Sequence, residues 1–235
     1  MPVARRTTDI ESQPAGASAE RILESLTERA YRLIEELIVT LRIAPGSVVS
    51  EASLSARLGI GRTPIREALQ RLARERLVVV LPRRGIMVSE INVRTQLRLL
   101  EVRRELERLI ARSAARRAGD AQRQRFRAIA GAMAETARSN DDIAFMRSDR
   151  ELNLLELEAA RNEFATGAMT LMHGLSRRFW YIHYKEVADL PLAARLHANL
   201  ALAIADGDAD AAAAASDRLL DYIEAFTRAT VTADA

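Results

Sequence analysis

"LGIGRTPIREALQRLARERL", residues 58–77, decides how the first third of the chain is read. Gly59 and Gly61 bracket a tight break, and Pro64 sits where a new helix begins. Thr63 is expected to be its N-cap and Pro64 its first helical residue. Ile65, Leu69 and Leu72 then recur at spacings of four and three, with Ala68 alongside, so one helix face is apolar. Arg62, Arg66 and Gln70 stand four residues apart on the opposite face. Arginines in register at the start of a short helix suit DNA reading. Guanidinium groups bind phosphate and guanine edges through paired hydrogen bonds, and recognition helices meet base edges with their N-terminal residues.

Upstream, "SEASLSARLG" (50–59) predicts a short helix with Ser50 as N-cap and Gly59 as its stop. Ala52 or Ser53, Leu54 and Leu58 are its inward positions. Before it, residues 19–43 carry one apolar stripe of Ile22, Leu26, Ala30, Leu33, Leu37 and Leu41, ended by Ala44-Pro45-Gly46. Downstream, "LVVVLPRRGIMVSE" (77–90) reads as a β-hairpin turning at Pro82-Arg83-Arg84-Gly85. Helix, helix, tight turn, helix and hairpin in that order form a winged helix-turn-helix pattern. Arg83, Arg84 and Gly85 make the wing tip, where a small glycine allows close approach to a DNA backbone.

Composition agrees with that reading and narrows the rest. The chain has 235 residues, 49% hydrophobic and 29% charged, enough for two modest domains. Aromatics make up only 4%, and Ala, Leu and Arg are abundant, which favours helices. The absence of cysteine excludes disulfides, thiolate metal sites and cysteine nucleophiles. No apolar run approaches the roughly 18 residues that a bilayer span requires, and no membrane partner is expected. Residues 1–20 lack the apolar stretch of a secretory signal and read as a disordered tail, so a cytoplasmic location is expected. The net charge is only +3, but its placement is uneven. Arg57, Arg62, Arg66, Arg71, Arg74, Arg76, Arg83 and Arg84 crowd residues 57–84 against Glu67 and Glu75 alone, and the chain has one lysine, Lys185.

The string from Ile43 through Val78, with Arg62-Thr63-Pro64-Ile65-Arg66-Glu67-Ala68-Leu69 at its centre, resembles the signature of GntR-family bacterial transcription regulators. The resemblance implies operator contacts from Arg62, Thr63, Arg66 and Gly85. Two positions depart from the family pattern. Gly61 stands where serine is usual, removing a hydroxyl that could bind phosphate. Arg76 stands where glycine is usual before the wing, at a position that would demand a left-handed backbone.

Beyond Asn92 the chain turns wholly helical. Residues 95–119 form a long amphipathic segment with Leu99, Val102, Leu106, Leu109 and Ile110 expected inward. Further helices are expected over 121–139, 141–160, 162–184, 191–205 and 209–230, an all-α bundle of six or seven helices. After a GntR-like winged helix, this region resembles the effector-binding and dimerisation domain of the FadR-like branch, called FCD. "LLEVRRELERLIARSAA", "RSDRELNLLELEAARNEF" and "RLHANLALAIADGDADAAAAASDRLL" carry the likeness. The expected organisation is a tail (1–20), a winged helix-turn-helix domain (21–89) and an all-α effector domain (94–230).

Many FCD domains hold a divalent metal through an Asp, a His four residues later and two further His. Here Asp149 and His197 match, while Asn153 and Leu219 occupy the other two positions. Asn is a poor ligand for a transition metal and Leu is none, so no metal and no other cofactor is expected. Arg103 matches a family arginine that pairs with a carboxylate. "RRFWYIHYK" concentrates Arg178, Trp180, Tyr181, His183 and Tyr184, which would line a cavity or fill a core or dimer interface. The expected effector set is Arg103, Asp149, Asn153, Arg178, Tyr181 and His197. The expected DNA set is Arg62, Thr63, Arg66, Gln70, Arg83, Arg84 and Gly85.

Together these readings imply a homodimeric regulator of double-stranded operator DNA, tuned by a small organic acid. An effector-independent architectural DNA-binding protein is the alternative. A helical-bundle enzyme is a more distant one, since no nucleophile-base-acid set or phosphate loop is present.

Overall fold

Ser25 caps the first helix, its side chain accepting from the Glu28 amide at 3.1 Å. The computed structural model describes residues 25–233; Ile22 of the first apolar stripe and the expected tail lie outside them. The elements run α1 (Leu26–Val39), β1 (Val48–Val49), α2 (Glu51–Leu58), α3 (Arg62–Arg74), β2 (Val78–Leu81), β3 (Gly85–Val88), α4 (Val93–Arg117), α5 (Asp120–Ser139), α6 (Asp142–Ala160), α7 (Glu163–Val187), α8 (Leu190–Asp206) and α9 (Ala209–Ala233).

The first six elements form a winged helix. Ala30, Ile34 and Ile38 of α1 pack with Leu54 of α2, Ile65, Leu69 and Leu72 of α3, and Val88 of β3. Ser50 and Ser53 cap α2 reciprocally, and Gly59 ends it at φ 65°. The start of α3 lies two residues earlier than expected. Gly61 is its N-cap, without a side-chain bond, and Thr63 and Pro64 lie inside the first turn. A proline there still loses nothing, because first-turn amides have no intrahelical acceptor. The sheet has order β1-β3-β2, with Val48 opposite Met87 and Val80 opposite Ile86. The two-residue strand β1 was too short to announce itself in the sequence.

Two wing-side positions show what the backbone demands. Arg76 adopts φ 60° and the Leu77 amide reaches back to the Leu72 carbonyl at 3.0 Å, the closure in which glycine is usual. Gly85 has φ 102°, and a Cβ there would lie 2.9 Å from the Val49 carbonyl oxygen. That glycine is required inside the sheet, whatever it also allows at the wing surface.

The six helices α4–α9 form the second unit. Phe126, Met133, Leu152 and Leu155 fill a core otherwise rich in alanine, with α5 packed along α8 and α4 along α9. The buried face of α4 is only partly the one its apolar residues suggested. Ile110 is buried and Leu106 packs on the core as expected, but Val102 is 53% and Leu109 46% exposed, and Gln96, Leu100, Arg103 and Glu107 are buried instead. The polar residues go in because they find partners there, and satisfied polar groups tolerate burial.

One helix joins the two units. Gly174 of α7 lies flat against Leu77, where a Cβ would approach Leu77 Cδ1 to 2.5 Å. Arg177 reaches Glu35 of α1 at 2.9 Å, and Arg178 donates to the Ser89 carbonyl at 2.8 Å.

Candidate functional site

The DNA-facing candidates cluster on one surface. Arg62, Thr63, Arg66 and Gln70 are all exposed on α3, and Arg83 and Arg84 are exposed at the wing. Arg83 takes φ 62° in the turn, which throws the tip outward. Arg83 and Arg84 make no ion pair among the described residues. Arg66 is engaged: Nε and Nη2 donate to the two Glu51 carboxylate oxygens at 2.8 and 2.9 Å. The hydrogen bond from Arg66 holds the Glu51 carboxyl below its usual range. This is the fork geometry with which arginine meets a guanine edge, here closed over a carboxylate of α2.

The second candidate is a cavity of about 240 Å³ lined by α4, α6, α7, α8 and α9, and closed on one side by α1 and Arg71 of α3. Asp149, Asn153 and Glu156 project from α6 at spacings of four and three, so they share a face. His197 Nε2 lies 3.2 Å from Asp149 Oδ1, and its Nδ1 lies 2.7 Å from the Ala193 carbonyl oxygen. Asn153 donates to Asp149 Oδ1 at 3.0 Å and to its carbonyl at 2.8 Å. Burial pushes the Asp149 carboxyl up, but the His197 bond and charge, with Arg177 and Arg103 beyond, hold it below the usual range. Leu219 lines the same cavity.

The cavity thus gathers the four positions aligned with the FCD metal site, and they do not fit a metal. The Asn153 amide points its donor at Asp149, and Leu219 has no ligand atom. No group of three His, Cys, Asp or Glu among the described residues is arranged to hold one.

Arg103 lines the cavity but is closed onto Glu107, with Nε donating to Oε1 at 2.6 Å and Nη2 at 2.5 Å from the same oxygen. Of the other expected effector residues, Arg178 and Tyr181 stand outside the cavity. Arg178 is buried at the junction of the two units, where desolvation lowers it to about 10, and Tyr181 lies 6.1 Å from the Tyr184 ring. The sequence reading missed Glu35, Glu107, Glu156, His173 and Arg177, which line the cavity. Burial, then Arg103, press the His173 imidazole down to about 4, so it is neutral. Burial, then the Glu107 and Asp149 charges, raise the Glu156 carboxyl well above its ordinary value, which favours its protonated form. The only signal for these residues was polar side chains interrupting apolar helix faces.

A winged helix joined to an α-helical unit that encloses a cavity defines a two-domain protein of the helix-turn-helix class. Comparison gives the family. Residues 26–88 match the bacterial regulatory proteins of the gntR family, and residues 98–222, just over half the chain, match the FCD domain. The chain belongs to the GntR family and carries an FCD domain. It is 44% identical over 62 residues to an uncharacterized HTH-type transcriptional regulator in an unstable DNA locus of Streptomyces ambofaciens, covering 26% of each chain. It is 34% identical over 92 residues to the HTH-type transcriptional repressor RspR of Escherichia coli K12, covering 39% of this chain and 40% of that one. These matches span between a quarter and two fifths of the relatives' length. The fold resembles that of E. coli McbR/YncC, with TM-score 0.76 and 17% identity over 88% of this chain and 99% of that one. These families and relatives are those of transcription regulators, not of enzymes. No helix among the described residues is long and apolar enough to cross a membrane.

Proposed function

We propose that this protein is a cytoplasmic, sequence-specific transcription regulator that binds operator DNA as a homodimer and is tuned by a small organic acid in the cavity. In this reading residues 21–89 are the DNA-binding unit and 94–230 the effector and dimerisation unit. The observation that carries it is the exposed edge of α3, where Arg62, Thr63, Arg66 and Gln70 stand together beside a basic wing of Arg83, Arg84 and Gly85. One winged helix offers a small interface, and paired half-sites supply the remainder. The cavity supports the effector half: among mainly apolar walls it holds arginines, a neutral histidine and a carboxyl that burial pushes toward its protonated form.

The test is fluorescence anisotropy with an operator selected from random sequence, at fixed salt. Arg66→Ala costs about 1–3 kcal/mol and relaxes one operator position. Arg83→Ala weakens binding to all sequences and lowers the salt slope by about one. Unchanged operator affinity in Arg66→Ala would overturn the assignment of α3, and a monomer at micromolar concentration with full operator affinity would overturn the homodimer.

A further inference from the structure

Within the effector reading above, on which this rests, we propose that the acid's carboxylate is received by Arg177 and Trp180 of α7, at the wall shared with the DNA-binding unit, and not by Arg103.

The two arginines differ in what they have left to offer. Arg103 directs Nε and Nη2 at one oxygen of Glu107, and both side chains are buried. A ligand taking that edge would strand the Glu107 carboxylate beside Asp149 and Glu156, a costly arrangement for a buried charge. Among the described residues, Arg177 bonds through Nη1, to Glu35 at 2.9 Å, and its buried Nε has no hydrogen-bond partner. Trp180 lies three residues on, and its Nε1 is likewise buried and unpartnered. Residues three apart share a helix face, and both line the cavity. Two N–H donors without acceptors, one of them cationic, match the two oxygens of a carboxylate. Across the cavity, Glu156 Oε1 is also buried without a partner. Burial favours the protonated form of this carboxyl, and in that form it can donate to an incoming anion.

Arg177 also ties this site to DNA. Its other contact, Glu35, belongs to α1, and Tyr31 one turn earlier lines the same cavity. The Arg71 guanidinium of α3 sits 3.6 Å above the Tyr31 ring centre. An acid at Arg177 Nε therefore shares one guanidinium with Glu35 and acts on the packing behind the recognition helix.

The chain has one tryptophan, so the Trp180 indole N–H gives a single side-chain resonance in a 1H–15N spectrum. The probe is sodium acetate, with acetamide and sodium chloride as matched controls. Acetate is expected to displace the indole resonance saturably at millimolar concentration while acetamide does not, and Arg177→Gln is expected to abolish the displacement. Should Arg177→Gln lose its fold, His173→Glu serves instead. It tethers a carboxylate one turn before Arg177 and is expected to move the indole resonance to the acetate-bound position without added acid. An equal response to acetamide, no response to acetate, or a response kept in Arg177→Gln but lost in the paired variant Arg103→Gln with Glu107→Gln overturns the assignment. Acetate displacement with no change in operator affinity for any acid supports this site and overturns the effector reading.

Discussion

Arginine does opposite work in the two units. On the outer edge of α3 and at the wing it stands in solvent, and even Arg66, held by Glu51, keeps a side chain 57% exposed. Exposed pairs of that kind contribute about 0–1 kcal/mol, so their partners exchange readily. Inside the bundle Arg103 and Glu107 are nearly sealed from water. Such a pair adds little net stability, but removing one member leaves a buried charge uncompensated. The lesson is that burial, not residue type, decides whether an arginine reads a partner or frames a site.

The sharpest way to break the comparison is to truncate one arginine from each setting. Arg103→Ala is expected to destabilise the protein by about 3–5 kcal/mol in urea unfolding, because Glu107 loses its partner. Arg66→Ala is expected to change stability by less than about 1 kcal/mol while weakening operator binding. Equal losses of stability would show that the two environments do not differ as described.

A smaller effect tests the cavity's charge state. The Glu156 carboxyl is raised above its ordinary 4.5, so the folded protein binds a proton there that the unfolded chain releases. Its contribution is full below pH 4.5 and is lost as pH rises toward the folded value. Glu156→Gln is therefore expected to gain melting temperature relative to the parent as pH rises from 4.5 toward neutrality, with little difference in acid. A difference independent of pH would mean that Glu156 is ionised in place.

The smallest effect concerns Glu51. Glu51→Ala frees Arg66 and is expected to strengthen binding to random DNA by less than about tenfold, in line with an exposed pair worth under 1 kcal/mol. Weaker binding to random DNA would show that Glu51 positions Arg66 for the duplex.

How much was legible in the sequence follows the same division. The apolar stripe of Ile65, Leu69 and Leu72 and the arginines opposite it are local, so a helical period reveals them. The left-handed Arg76 was legible too, as an arginine where glycine is usual. The inward face of α4 was misread in part: Gln96 is buried against Ser176 on another helix, a partner the local pattern does not show, and the i,i+4 spacing of Arg103 and Glu107 looks the same in the sequence whether the pair is buried or solvated. Arg178 was placed near a cavity for its aromatic neighbours, yet its guanidinium holds backbone carbonyls some ninety positions away. Polar contacts between distant segments leave no periodic trace, and the cavity is built largely of them.

The pair between Arg66 and Glu51 bears on how such a protein searches a chromosome. Under the proposed role of α3, a mismatched base must compete with a carboxylate already in fork geometry, while a guanine edge offers two acceptors in the same spacing. Wrong base pairs then gain less from this arginine than they would from an unpaired one, and in that reading the glutamate on α2 is a filter that trades raw affinity for discrimination.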